Sequence, residues 1–208
     1  MKYIDFYHNL KNNYPVFSRA DIEKIAIGKV LDVQLSDWVK KGLLVKPRRD
    51  VYLLRENINL NPFLLSNRLF RPSYVSLESA LFYWGLIPDI VSTVTAVTSK
   101  RTRKFEFNNQ LFSYQKIKSN LFFGYGEIRD KEWGFLMASP EKSILDYFYL
   151  NLPKLRDKND WYELRIDAKI YSKVVNRTKL FKLLRVFNSV RMNIVIKEFD
   201  KYIRSQKT

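Results

Sequence analysis

Residues 16–54 read VFSRADIEKIAIGKVLDVQLSDWVKKGLLVKPRRDVYLL, and no other stretch restricts the fold as much. Ser18 has the chemistry of a helix N-cap, and Ala20, Ile22, Ile25 and Ala26 follow it at near-helical spacing. Gly28 is expected to break that helix and open a tight turn. Leu31, Leu35, Trp38 and Val39 then recur at i, i+4, i+7 and i+8, which draws one apolar stripe down a second helix. Its other face carries Lys29, Asp32, Gln34, Ser36, Asp37, Lys40 and Lys41, and Gly42 fits a left-handed cap. Two β-rich runs, 43–45 and 51–54, flank Pro47-Arg48-Arg49-Asp50, a hairpin with a basic tip. Strand, helix, turn, helix, hairpin is the order of a winged helix-turn-helix.

A helix of that width can enter the major groove of DNA while the helix before it braces the backbone. Gln34 is then the candidate for base reading, because its amide can pair bidentately with adenine. Arg19, Lys29, Ser36, Lys40, Lys41, Arg48 and Arg49 are the candidates for phosphate contact. Asp32 and Asp37 work against this, since carboxylates repel phosphate. The same pattern also fits a small helical unit whose hairpin binds protein.

With 37 Lys+Arg against 21 Asp+Glu among 208 residues the formal charge is +16, which favours a polyanionic partner. Residues 1–56 hold 11 basic and 7 acidic side chains, so most of the excess lies beyond them. Residues 165–208 are densest, with 12 basic against 3 acidic. There is no cysteine, and the single histidine, His8, sits in a polar stretch and reads as a surface residue. No metal or cofactor is expected. No run approaches the roughly 20 apolar residues of a membrane span, and the start of the chain lacks a signal peptide's layout, so a cytoplasmic location away from membranes is expected. Activated nucleophiles are missing and Gly124-Tyr-Gly126 lacks a third glycine, so an enzyme is not expected. Asp89 with Asp167-Ala-Lys169 is only a loose echo of a magnesium nuclease.

The first helix is expected over 4–12, with Ile4, Tyr7 and Leu10 toward the core. Asn61-Pro62 starts a helix that runs to about Phe70, and a domain boundary falls near Glu56, dividing 1–56 from 57–208. Ser76 is expected to cap a helix through Trp84 that Gly85 closes. From Val91 the pattern turns period-two: VSTVTAVTS, FEFNNQLFSYQKI with a bend at Asn108-Asn109, LFFGYGEI and WGFLMAS, implying an antiparallel sheet of four or five strands. Ser139-Pro140-Glu141 caps a helix with Ile144, Leu145, Phe148 and Tyr149 on its apolar side. Asn151 to Asp160 reads as a polar loop, Thr178 as the cap of a further helix, and Ile194, Val195, Phe199, Tyr202 and Ile203 as the stripe of the last. The whole is an α+β chain: a winged helix-turn-helix, then a larger domain with an antiparallel sheet and C-terminal helices, 165–208 forming a candidate helical subdomain.

Lys100, Arg101, Arg103 and Lys104 surround a turn that grips phosphate or is a solvated tip. Arg165, Lys169, Lys173, Arg177, Lys179, Lys182 and Arg185 lie off the apolar stripes, as a second surface for DNA or RNA or as a solvated face.

Two stretches together resemble the abortive-infection antitoxins of AbiEi type. The first is the hairpin segment GLLVKPRRDVY at 42–52. The second is YVSLESALFYWGLIP at 74–88, followed by residues 95–103, FFGY at 122–125 and ASPEKSILD at 138–146, in that family's order and spacing. The chain departs from many relatives in having Asp50 at the hairpin turn and lysines at 40 and 41. The resemblance implies a transcriptional repressor of its own operon, bound to operator DNA, that counteracts a nucleotidyltransferase-like toxin encoded beside it. Such type IV pairs need no direct contact between antitoxin and toxin. A stand-alone regulator on the same scaffold is the alternative.

Overall fold

The computed structural model describes residues 1–11, 14–25, 30–130, 132–153, 161 and 164–206. It opens with α1 (Tyr3–Lys11), β1 (Val16–Ser18), α2 (Arg19–Ile25), α3 (Asp32–Lys40), β2 (Leu44–Arg48) and β3 (Val51–Leu54). The three strands form an antiparallel sheet in the order β1-β3-β2. Ser18 starts α2 by a reciprocal cap: its hydroxyl accepts from the Asp21 N–H, and its own backbone N–H donates to the Asp21 carboxylate at 2.8 Å. Gly42 sits at φ +70° and Asp50 at φ 60°, so the cap and the hairpin turn both use left-handed backbone. Pro47 has no N–H to give a ladder, and the β2–β3 register shifts between Val45 and Arg48.

Phe6, Phe17, Ile22, Leu35, Trp38, Leu44 and Tyr52 close the core of this N-terminal unit, with the Phe6 and Trp38 ring centroids 4.7 Å apart. Two expectations change here. Ile4 is 54% exposed and Phe6 takes the inward place, because Phe6 and Leu10 are one helical turn apart. Leu31 is the residue before α3 rather than part of its stripe, and it too is exposed. The expected break at Gly28, and Ala26, lie outside the described residues.

A 3₁₀ turn (Arg55–Asn59) leads to α4 (Pro62–Leu69), β4 (Ser73–Val75), α5 (Glu78–Tyr83), β5 (Thr93–Thr98), β6 (Arg103–Phe107), β7 (Gln110–Lys116), β8 (Tyr125–Asp130) and β9 (Trp133–Ala138). Then follow α6 (Pro140–Asn151), α7 (Ala168–Val174), α8 (Arg177–Val186) and α9 (Val190–Ser205). Six strands form one sheet in the order β6-β7-β5-β4-β9-β8, which leaves β6 and β8 as its edges. The chain is thus a mixed α+β protein with two sheets.

The sheet is not purely antiparallel, as expected from the pattern, because β5 pairs with β7 and β4 with β9 in parallel. The reason is topological. β6 folds back on the outer side of β7, so β7 returns beside β5 in the same direction. β4 is three residues long, too short for any periodicity, yet it slots between β5 and β9. Asn108 and Asn109, at φ 50° and 58°, make the hairpin bend at the expected place. Residues 121–124 precede β8 instead of belonging to it.

Caps divide similarly. Asn61 accepts from the Phe63 N–H and Ser139 from the Lys142 N–H, both as expected. Ser76 does not cap α5; Leu77, at φ 59°, precedes that helix, and the Ser76 hydroxyl donates to Asp146. Asn176, not Thr178, caps α8, because its carbonyl reaches the Lys179 N–H at 3.0 Å. On α9 Phe199 and Ile203 are buried as expected, and Met192 and Ile196 complete the stripe in place of Ile194, which is exposed, and of Val195 and Tyr202, which are half-buried.

One hydrophobic cluster joins the two units. Val16, Val51 and Leu53 of the small sheet pack with Leu65 and Leu69 of α4 and with Val94, Ala96, Phe112 and Tyr114 of the large sheet, so the units share a seam. Inside the larger unit, α6 buries a charged pair. The Lys142 ammonium donates to the Asp146 carboxylate and, at 2.9 Å, to the Tyr74 hydroxyl. Asp146 also accepts from Tyr74 at 2.8 Å and Ser76 at 2.9 Å. Burial pushes the lysine down and the carboxyl up, and the mutual charge with these hydrogen bonds opposes both shifts. Among the described residues, no helix is long and apolar enough to cross a membrane.

Candidate nucleic-acid interface

The outward face of α3 carries Asp32, Val33, Ser36 and Lys40, all exposed, Val33 at 76%. Lys41 follows and pairs with Asp37 at 2.8 Å. Arg49, at the hairpin tip, has 91% of its side chain exposed and only a 3.6 Å contact with Asp50. Lys46 is exposed on β2, its ammonium 5.4 Å from the Tyr52 ring centre.

Three of the other expected DNA contacts are occupied within the chain. Gln34 accepts from the Leu31 N–H at 3.0 Å and donates to the Met1 carbonyl at 2.8 Å, so one end of its amide caps the start of α3 and the other ties that helix to the residues before α1. Arg19 donates to the Val30 carbonyl at 2.9 Å and meets Asp32 at 3.3 Å. Arg48 turns into the seam, donating to the Leu69 carbonyl with its guanidinium 4.9 Å from the Phe105 ring centre. Lys29 lies outside the described residues.

A second basic region lies on the C-terminal helices. Lys169, Lys173, Lys182 and Arg185 are exposed and carry no ion pair among the described residues. Arg165 pairs with Asp89 at 3.1 Å, Lys179 with Glu141 at 2.8 Å and Arg177 with Asp200 at 2.8 Å. Arg177 also borders a cleft of about 640 Å³ with Lys197, Lys201 and Arg204 of α9. Sequence reading missed those three, although their i, i+4, i+7 spacing marks one helix face. In the Lys100 turn, Lys100, Arg101 and Lys104 are exposed and Arg103 half-buried.

Glu141 anchors this region from below. Burial alone would raise its carboxyl, but Lys179, the Asn176 N–H and Ser139 hold it below the usual carboxylate range.

A third basic place is the seam itself. Arg48, Arg49, Arg68, Arg71 and Lys100 line a cleft of about 260 Å³ against Asp21 and Asp50. Burial would raise the Asp21 carboxyl, yet the Ser18 donors, with Arg71 and Arg68 nearby, keep it low. Arg68 and Arg71 give no sequence signal, because only the packing of α4 on the hairpin brings them to Arg49.

The two halves of the nuclease echo have other roles: Asp89 pairs with Arg165, and Asp167 caps α7 by accepting from the Lys169 and Ile170 N–H groups at 2.8 Å. Among the described residues no three His, Asp or Glu side chains come together to hold a metal ion. No family model and no curated protein matches the chain.

Proposed function

We propose that the chain is a sequence-specific DNA-binding transcriptional regulator whose N-terminal unit is a winged helix-turn-helix. One observation carries this reading. The order α1-β1-α2-α3-β2-β3, with the sheet arranged β1-β3-β2, leaves α3 with an exposed face next to a hairpin tipped by Arg49. In this reading α3 enters the major groove, and Ser36, Lys40, Lys41, Lys46 and Arg49 hold phosphates. Gln34 reaches a base only by giving up its bonds to Leu31 and Met1, so the Val33 methyls take up base reading, against a thymine methyl.

The resemblance to the AbiEi-type antitoxins extends the proposal to a repressor of its own operon that counteracts a nucleotidyltransferase-like toxin without needing to touch it. The basic cleft between α8 and α9 supports a second nucleic-acid surface, for flanking DNA or for RNA.

The test is a salt titration of binding to the DNA upstream of the chain's own gene, beside a scrambled duplex of equal length. Preference for the native duplex by about a thousandfold or more is expected. Changing Lys40 and Arg49 to Glu should flatten the log–log salt slope by about one unit for each lost phosphate contact. Equal, steeply salt-dependent binding of both duplexes would sink the sequence reader and leave the α8–α9 surface as the binder.

A further inference from the structure

Beside the end of α4, a further cleft of about 320 Å³ has Asn67, Arg68, Arg71, Ser73, Phe122 and Tyr125 in its walls. Its polar groups are incompletely matched. Asn67 is 8% exposed; its carbonyl accepts from the Leu136 N–H, and its amide nitrogen has no partner. The Ser73 hydroxyl, in a residue 3% exposed, also has none. Buried polar groups in native proteins are nearly always paired, so two orphans in one cleft mark a missing partner.

The charges carry the same message. Arg68 is half-buried and makes no hydrogen bond or ion pair among the described residues. Burial and the neighbouring Arg71 both pull its guanidinium below its ordinary value. Glu127 also lines the cleft and offsets one of the two positive charges, and Asp21 acts on both arginines from the seam side. The aromatic pair Phe122 and Tyr125, ring centres 5.2 Å apart, is only partly buried.

We infer that this cleft binds a nucleotide, with the phosphate on Arg68 and Arg71, the base against Phe122 and Tyr125, and Asn67 and Ser73 on its polar edges. Planar guanidinium groups match phosphate oxygens bidentately. A bare phosphate leaves the rings and the orphan amide unused, and an apolar ligand leaves the arginines unmet. The volume is that of a small-ligand site. Because Arg68 and Arg71 also line the seam cleft, the occupant touches the groove where the hairpin meets α4. The same chemistry is offered by a free nucleotide and by the phosphorylated end of a single strand. The site is independent of α3 and of the DNA reading above.

The test uses isothermal titration of the full chain with adenosine and guanosine monophosphates, inorganic phosphate, the two unphosphorylated nucleosides and a 5′-phosphorylated single-stranded hexanucleotide. At least one monophosphate is expected to bind about tenfold or more tighter than phosphate or its nucleoside. Arg68→Gln should remove most of that binding and Ser73→Ala weaken it severalfold, while circular dichroism and melting temperature stay unchanged; Phe122→Leu serves as the third variant if either misfolds. Binding of the hexanucleotide alone, lost in Arg68→Gln, keeps the chemistry and assigns a strand end as its source. Absence of binding by every probe at millimolar concentration overturns the proposal. So does phosphate binding as well as the nucleotides do, or binding indifferent to all three variants.

Discussion

The small N-terminal unit and the larger unit solve burial in opposite ways. Among the described residues, the first buries aromatic and aliphatic side chains and no charged one. The second buries Glu141, Lys142, Asp146 and Asp200 among its hydrophobic residues, and each is satisfied by a partner from a different element or turn. A purely apolar core follows from periodicity and tolerates change by volume. A core with charges in it depends on every partner being present, since one missing partner strands a desolvated charge.

The contrast breaks most easily at Asp146. Asp146→Ala should cost about 3–5 kcal/mol in urea unfolding, because it strands the Lys142 ammonium. Replacing both members, Lys142→Met with Asp146→Leu, should recover only part of that loss, because the buried Tyr74 and Ser76 hydroxyls still lose their acceptor; a single variant as stable as the parent would refute the contrast. In the small unit, Leu35→Ala should cost about 2–5 kcal/mol by the same measurement, with no polar change able to rescue it. The seam is expected to be weaker. Arg48→Ala should cost about 1–2 kcal/mol, from one hydrogen bond and a cation–ring contact, and differential scanning calorimetry should show whether the two units then melt apart.

The smallest effect is one of pH. The Glu141 carboxyl lies lower in the folded chain than in the unfolded one, so it adds stability above its ordinary range that is lost as pH falls through its folded value. Glu141→Gln should therefore lower the melting temperature near neutrality and flatten its decline on acidification. Asp21→Asn should do the same more weakly, since its carboxyl is also held low but lies nearer the surface.

The difference between the units also decides what could be read from sequence. Ser18, Gly42, Asn61, Asn108-Asn109 and Ser139 act through neighbours in the chain, so residue type and spacing reveal them. Most elements were legible for that reason. The two parallel strand pairs were not, because β4 is too short to show a period and its partners lie far along the chain. The site was less legible still. Arg48 and Gln34 look free in sequence, but the carbonyls that occupy them, Leu69 and Met1, are distant in the chain. Arg68 and Arg71 look like ordinary helix-end cations until the fold sets them in one cleft with Phe122 and Tyr125.

The edges of the large sheet have a further consequence. β6 exposes Lys104 and Glu106 and β8 exposes Glu127 and Arg129, so each outermost strand presents alternating opposite charges. An open sheet with bare apolar edges invites strands of other copies to add on, and charges on the edge discourage that growth. Those four surface side chains therefore guard the ends of the sheet, a task that nothing in the buried core can perform.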